Sequence, residues 1–219
     1  MRKVFFVLFI LSTSFLFSQD IKVLLAADSA VWFGIDYSKA KFTGSFAQAF
    51  GIDPNNGNEL VEKWIPEWNK IFFKEPQNFQ IGEAIKKPNI YFDVNSVNII
   101  NSKINKDSIY SETPTGYKIA GPEKTIPEMI KNYSSDTKKS GLGCVFIAES
   151  YNKKAHSAYV YFVLFQIADK KIIGYKRLMG IPKGIGLRNF WSGAIKDIIN
   201  QVENSAYPSV SWNAIKPTK

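Results

Sequence analysis

The chain has 219 residues, 45% of them hydrophobic and 15% aromatic, and its formal net charge at pH 7 is +9. This composition excludes a disordered chain, and the length suffices for one substantial core or two small ones. The lysines come in short pairs beside turn-forming residues instead of lining one helix. We therefore interpret the positive charge as a solvated surface and predict no nucleic-acid binding.

Residues 1–18 predict a secretory signal peptide that is removed from the mature protein. Arg2 and Lys3 precede an apolar run over residues 4–11, and the predicted cleavage point follows Ser18. An uncleaved membrane anchor is the alternative, but about 20 apolar residues are needed to span a bilayer and this run is shorter. We therefore expect a periplasmic or secreted protein with no transmembrane segment after cleavage.

The first two thirds of the mature chain alternate between short apolar runs and turn signals. The patterns predict strands over residues 21–27, 30–37 and 90–94, and helices over residues 96–104 and 126–133. Between Leu60 and Phe72, apolar residues recur at three- and four-residue spacing, which predicts a helix that Pro66 kinks or divides. Trp64 and Trp68 lie one turn apart in this helix. We interpret them as core residues, and a sugar-stacking surface is the alternative.

The last third of the chain has the clearest pattern. It predicts three strands, over residues 143–149, 158–167 and 171–178, and a helix over residues 189–202 with one apolar face. A tight turn at residues 168–170 makes the last two strands a hairpin. We predict that Ile195 and Ile199 are buried and that Lys196 is exposed.

These elements predict an α+β fold. We expect a single mixed domain over residues 19–206, with antiparallel strands and the carboxy-terminal helix packed on the sheet. An irregular tail is expected over residues 207–219.

The inventory of catalytic residues argues against most enzyme mechanisms. His156 and Cys144 are the single histidine and the single cysteine, too few for a zinc site, and we predict no metal and no cofactor. We expect His156 in an exposed turn and Cys144 as an inert buried thiol. A carboxylate-based glycan hydrolase stays open as an alternative. Its candidate carboxylates, which lie in or beside apolar segments, are Asp28, Asp36, Glu62, Glu67, Asp93 and Glu149.

A glycine-punctuated segment between the last strand and the last helix is a candidate anion site. Backbone N–H groups at a helix start can bind an anion, and the candidate ligands are Lys183, Gly184, Gly186 and Arg188. The alternative is a structural turn whose glycines permit unusual backbone angles. We favour the turn, and we then expect Arg188 to pair with a carboxylate or to cap backbone carbonyls.

Asp36 is a second candidate because it lies in an apolar strand. Strict alternation would place Trp32 and Asp36 on one face of this strand. The opposite face would then hold Val31, Phe33, Ile35 and Tyr37. A buried aspartate needs a partner, and we expect either a nearby lysine or a backbone turn at Ser38.

Two segments, Val31–Gly44 (Trp-Phe-Gly-Ile-Asp-Tyr-Ser, then Phe-Thr-Gly) and Tyr161–Ile199 (Gly-Ile-Gly-Leu-Arg-Asn-Phe-Trp), resemble a group of uncharacterised secreted proteins of Bacteroidota. The hairpin followed by a helix is also similar to the α/β domain of envelope proteins such as the curli-secretion lipoprotein and the amino-terminal domain of the Tol–Pal translocation protein. The chain lacks the lipidation cysteine of the lipoprotein members. The resemblance implies binding or assembly within the envelope and carries over no catalytic residue.

Export and the poor catalytic inventory together predict a periplasmic, non-enzymatic binding or envelope-assembly module. Its expected partner is an envelope protein. The alternatives are the carboxylate-based glycan hydrolase and an anion-binding module that uses the loop over residues 180–189.

Overall fold

The computed structural model describes residues 21–45, 57–113 and 116–204. The predicted signal peptide and the predicted irregular tail lie outside these residues. The described strands are β1 (Ser29–Asp36), β2 (Lys41–Thr43), β3 (Asn89–Phe92), β4 (Tyr110–Ser111), β5 (Leu142–Asn152), β6 (Ser157–Gln166) and β7 (Ile172–Gly180). The described helices are α1 (Ile21–Ala26), α2 (Gly57–Glu59), a π-helical turn (Leu60–Trp64), α3 (Ile65–Lys74), α4 (Ile81–Ala84), α5 (Asn95–Asn101), α6 (Lys106–Ile109), α7 (Pro122–Lys131) and α8 (Gly186–Asn204).

The described strands form one seven-stranded sheet around β5. On one side, β5 pairs in parallel first with β1 and then, further along, with β2. β3 extends the sheet beside β1, and β4 extends it beside β2, both in parallel. On its other side β5 pairs antiparallel with β6, which pairs antiparallel with β7.

The predicted α+β class with an antiparallel sheet is therefore wrong, because five of the seven strands follow a parallel order and the fold is α/β. The error has a physical cause. The turn at residues 168–170 signals a hairpin locally, whereas parallel strands are joined by long crossovers and leave no local sign of their partner. Ala30 of β1, for example, pairs with Leu142 of β5.

Helices cover both faces of the sheet, which gives three layers. On one face, strand residues such as Trp32 and Phe146 pack with α3 and α8, which contribute Trp68 and Ile195 among others. On the other face the described core residues come mainly from the strands, α7 and the residues around it: Val31, Phe33, Ile126, Ile130, Tyr133, Val145, Val163 and Phe165. The prediction that Trp64 and Trp68 are core residues is confirmed for Trp68, which is fully buried, whereas Trp64 is partly buried and packs against the core.

Strand β1 contains a β-bulge that changes which residues share a face. Trp32 pairs with Cys144 but Ile35 pairs with Phe146, so β1 has one residue more than β5 between these pairs. Gly34 lies in this bulge with a φ of +94°. Trp32 and Ile35 consequently lie in the same core cluster. The predicted strict alternation along this strand is wrong.

The last helix covers β6 and β7, and it begins at Gly186, three residues before the predicted start. Ile195 and Ile199 are buried and Lys196 is exposed, as predicted. Across residues 21–45, 57–113 and 116–204, no helix is both long and apolar enough to cross a membrane.

Candidate functional site

The loop after β7 has two positions whose backbone angles favour glycine. Gly184 and Gly186 have φ values of +132° and +78°, a region that disfavours residues with a side chain. The backbone N–H of Lys183 donates to the carbonyl of Phe190 at 3.1 Å, which ties the loop to the first turn of α8. The side chain of Lys183 is exposed.

The side chain of Arg188 interacts with neighbouring side chains of the protein. Its guanidinium forms an ion pair with Glu75, and Nη1 donates to Oδ1 of Asn189 at 3.1 Å. The carbonyl of Arg188 accepts a hydrogen bond from Nε1 of Trp68 at 3.1 Å. This pairing is the one expected of a structural turn, since Glu75 already offsets the positive charge. Anion binding by Lys183, Gly184, Gly186 and Arg188 stays a prediction.

Asp36 is fully buried at the carboxyl end of β1. Its Oδ1 accepts from the backbone N–H of Ser38 at 2.8 Å, which is one of the two roles predicted for it. Its Oδ2 accepts from the hydroxyl of Tyr133 at 2.6 Å, a partner that the sequence did not reveal. The pKa of Tyr133 lies well above its ordinary value, mainly because the hydroxyl is buried and also because the Asp36 carboxylate is nearby.

Two further carboxylates are buried. Oδ2 of Asp93 accepts from Oγ of Ser135 at 2.7 Å and from the backbone N–H groups of Asp136 and Thr137 at 2.9 Å each. Burial alone would raise the pKa of Asp93, but these hydrogen bonds outweigh it, and the pKa lies below its ordinary value.

Glu149 lies at a second bulge, in β5, and forms an ion pair with Arg177 of β7. Nε of Arg177 donates to Oε2 at 2.7 Å, and the backbone N–H of Ile119 donates to Oε1 at 3.0 Å. The hydroxyl of Tyr161 lies 3.3 Å from the same Oε1. Burial, followed by the charge of Glu149, raises the pKa of Tyr161 to about 12.

These three carboxylates all have protein donors, an arrangement that suits a structural role better than proton transfer to a substrate. The hydrolase alternative stays a prediction that this arrangement does not favour. Within the described segments, no three His, Cys, Asp or Glu side chains are grouped so that they could hold a metal ion. His156 is exposed in a turn, as predicted. Cys144 is buried as predicted, and burial raises the pKa of its thiol.

A groove of about 810 Å³ runs beside strand β3, and we call it the β3 groove. The end of α3, helix α4 and the strand itself form its walls. Its apolar lining includes Phe72, Phe79, Ile81, Ile90 and Phe92. Charged side chains are few, and Glu83, Lys86 and Lys87 supply them.

Lys87 links one wall of the groove to the end of α1. Its Nζ donates to the carbonyls of Leu25 and Ala27, at the end of α1. The residue is only 4% exposed, and burial lowers the pKa of its ammonium group. Lys87 is therefore engaged with the fold, whereas Lys86 is the exposed lysine of the groove.

Aromatic side chains at the groove and along β3 face solvent. The exposed fractions are 45% for Phe73, 40% for Tyr91 and 38% for Phe92. The rings of Phe73 and Phe92 pack edge to face, with their centroids 6.0 Å apart. Sequence reasoning predicted a strand here but did not reveal that it lies at a sheet edge. Its short length and the proline immediately before it, Pro88, were the available signals.

Comparison of the chain with known proteins gave no match to a family model, to a curated protein or to a solved structure. Function is therefore inferred from the geometry of the described residues.

Proposed function

We propose that this protein is an exported, non-enzymatic binding or assembly module of the cell envelope, and that it binds a partner protein through the β3 groove. The observation that carries this proposal is the apolar groove of about 810 Å³ at an exposed sheet edge. The predicted signal peptide supports the location. The engagement of the buried carboxylates with protein donors supports binding over catalysis.

The exposed aromatic residues strengthen this proposal. Large exposed apolar patches on soluble proteins mark interaction sites, because water contact with them is unfavourable. Phe92 belongs to the groove lining and the exposed Phe73 packs against it, so the groove and this part of its rim form one apolar surface. Aromatic side chains are also the residues that contribute most at protein interfaces.

Site-specific photo-cross-linking in the producing cells tests the proposal. A photoreactive phenylalanine analogue at position 92 should give a discrete cross-link to an envelope protein. The matched control is the same analogue at position 185, since Ile185 is 93% exposed, lies in the loop before α8 and does not line the groove. A second arm uses Phe73→Ser together with Phe92→Ser, exposed positions where the fold should persist.

The double variant should lose the partner while its circular dichroism spectrum stays that of the wild type. Equal cross-linking from positions 92 and 185, or undiminished partner recovery by the folded double variant, would overturn the proposal. Turnover of peptidoglycan by the purified protein would instead support the hydrolase alternative. Recovery of the protein from the periplasmic fraction checks the predicted location.

A further inference from the structure

We infer that the occupant of the β3 groove is an extended segment of the partner, acidic and apolar in composition, that adds to the sheet as a strand beside β3. This inference rests on the proposed function and specifies how the partner binds. The backbone of β3, the contrast with the opposite sheet edge and the charge of the groove each support it.

Within the described residues, part of the backbone of β3 has no neighbouring strand to pair with. Asn89 and Asp93 donate from their backbone N–H groups to the carbonyls of Asp28 and Trp32, at 3.1 and 2.9 Å. In a parallel ladder, alternate residues face the neighbouring strand. The N–H and C=O groups of Ile90 and Phe92 therefore point away from β1. Among the described strands, β3 pairs with β1 alone, so no described strand pairs with these groups.

At the opposite edge of the sheet, which is β7, side chains of α8 contact the strand backbone. There Nε2 of Gln201, in α8, donates to the carbonyl of Met179 in β7 at 2.7 Å. Asp197 of the same helix accepts from the N–H of Ile181 at 3.0 Å, just beyond the strand. Side chains of α8 thus occupy backbone groups at that edge. Exposed strand edges invite pairing with another chain unless they are covered or carry charges, and the exposed side chains of β3 include the aromatic pair Tyr91 and Phe92.

An extended segment fits these features better than a helix or a small ligand. A strand added at the edge would bond the backbone groups of Ile90 and Phe92, as in peptide recognition by β-augmentation. Its alternate side chains would point to one side, where the exposed rings of Phe73 and Phe92 provide apolar surface. Backbone pairing gives affinity, and the groove then selects for apolar side chains at alternate positions.

The charge of the groove favours acidic residues at the remaining positions. Lys86 and Lys87 both line the groove, Lys86 exposed and Lys87 buried. Glu83 is the opposing charge, and it accepts a hydrogen bond from Gln80 at 2.8 Å. The two lysines outnumber this single carboxylate, which gives the groove a positive character.

The backbone at Lys86 also points to a role for its side chain. Its φ is +55°, at the end of α4, where glycine is the preferred residue. A left-handed conformation is unfavourable for a residue with a side chain. A lysine in this place gives up some stability and puts an ammonium group in the groove. Lys86→Gly therefore removes the charge at a position where glycine suits the backbone.

The experiment uses short synthetic peptides as probes of the intact mature protein, with binding followed by fluorescence anisotropy. The first probe is a labelled peptide of about seven residues, the length of an ordinary strand, that alternates valine with glutamate. The second replaces glutamate with lysine. The third keeps the glutamates but replaces the valines with proline, which cannot donate to a ladder. Amide hydrogen exchange of the protein is measured with each peptide.

We expect the valine–glutamate peptide to bind at least about tenfold more tightly than either control peptide, a difference of about 1.4 kcal/mol. Exchange should slow at the amides of Ile90 and Phe92. Lys86→Gly should weaken binding about three- to tenfold and reduce its salt dependence, because an exposed charge is screened by salt. Lys154→Ala is the charge-matched control, exposed in the turn between β5 and β6, and should leave affinity unchanged.

Equal binding of the proline peptide would overturn strand addition, and equal binding of the lysine peptide would overturn the acidic preference. Exchange protection away from β3 would likewise contradict the inference. If no peptide binds while the cross-link from position 92 persists, strand addition fails and the proposed function stands. If that cross-link is lost as well, the proposed function fails with it.

Discussion

The side-chain amide of Asn69 hydrogen-bonds both backbone groups of Ile35. Nδ2 donates to the carbonyl at 3.0 Å, and Oδ1 accepts from the N–H at 2.6 Å. Asn101 continues this pattern, since its Nδ2 donates to the same carbonyl at 2.9 Å and its Oδ1 accepts from Tyr37 at 2.8 Å. Strand β3 ends at Phe92, so two asparagine side chains replace it along the rest of β1.

Replacing Asn69 should therefore destabilise the fold strongly. Asn69→Ala leaves the buried N–H of Ile35 without its acceptor, which should cost about 1–3 kcal/mol in the free energy of unfolding. Urea denaturation at neutral pH measures this loss. The control is Asn98→Ala, an exposed asparagine of α5, which should change stability by less than about 0.5 kcal/mol. Equal losses in the two variants would contradict the role given to Asn69.

Gly34→Ala should be destabilising for two reasons that act together. The φ of +94° disfavours a side chain, and a Cβ at this position would lie 2.6 Å from Oδ1 of Asn69. We expect the free energy of unfolding to fall by about 2–4 kcal/mol, because backbone strain and a displaced hydrogen bond act together. Thermal and urea unfolding measure it. Gly116→Ala is the matched control, because a Cβ there would have no atom of the described residues within 4 Å apart from its chain neighbours. A comparable loss in that variant would contradict the explanation.

The pKa of Asp93, lowered by its hydrogen bonds, makes part of the stability depend on pH. A depressed folded-state pKa stabilises the fold above the unfolded value of about 3.9, and this contribution is lost as pH falls through the folded pKa. Asp93→Asn should thus cost about 1–2 kcal/mol at pH 7, with a smaller cost below pH 3.

Urea denaturation at both pH values checks this expectation, and a carboxyl NMR titration measures the pKa of Asp93 directly. Asp169→Asn, at the exposed hairpin turn, is the control and should stay within about 0.5 kcal/mol of the wild type. A cost at position 93 that does not change with pH would contradict the charge effect and leave only a packing effect.

The buried face of α8 gives a paired prediction. Ile199→Ala should lower the free energy of unfolding by about 2–5 kcal/mol, because it removes a buried side chain and leaves a cavity. Lys196→Ala, on the exposed face of the same helix, should stay within about 0.5 kcal/mol of the wild type. Similar urea midpoints for the two variants would be inconsistent with the packing of α8 on the sheet.

Substitution of Arg188 distinguishes the two interpretations of the loop, a structural turn and an anion site. If the ion pair with Glu75 is structural, Arg188→Ala should lower the free energy of unfolding by up to about 1 kcal/mol, a small amount because the pair is partly exposed. Inorganic phosphate should then leave the melting temperature of the wild type unchanged, and exposed Lys183→Ala should behave like the wild type. A phosphate-dependent rise that Arg188→Ala abolishes would instead establish anion binding at this loop.

Local patterns were sufficient for several elements. The turn at residues 168–170 predicted the β6–β7 hairpin, and apolar spacing predicted α8 and the burial of Ile195 and Ile199. The apolar run at residues 21–27 shows where such patterns fail, since it was predicted as a strand and most of it forms α1. A run this short fits a strand and a helix equally well, and its neighbours in space decide between them.

The sequence by itself determined the amphipathic helix, the hairpin and the poor supply of catalytic side chains, because these depend on residues near one another in the chain or on composition. Only the tertiary structure decided the parallel order of the sheet, the bulge at Gly34 and the pairing of Asp36 with Tyr133. Tyr133 lies 97 residues from Asp36, and Asn69 lies 34 residues from Ile35. The same holds for the β3 groove, since β3 becomes an edge only when β1 takes β5 as its other neighbour. Pairing of distant strands follows from the free energy of the whole packed core, which no short stretch of sequence contains.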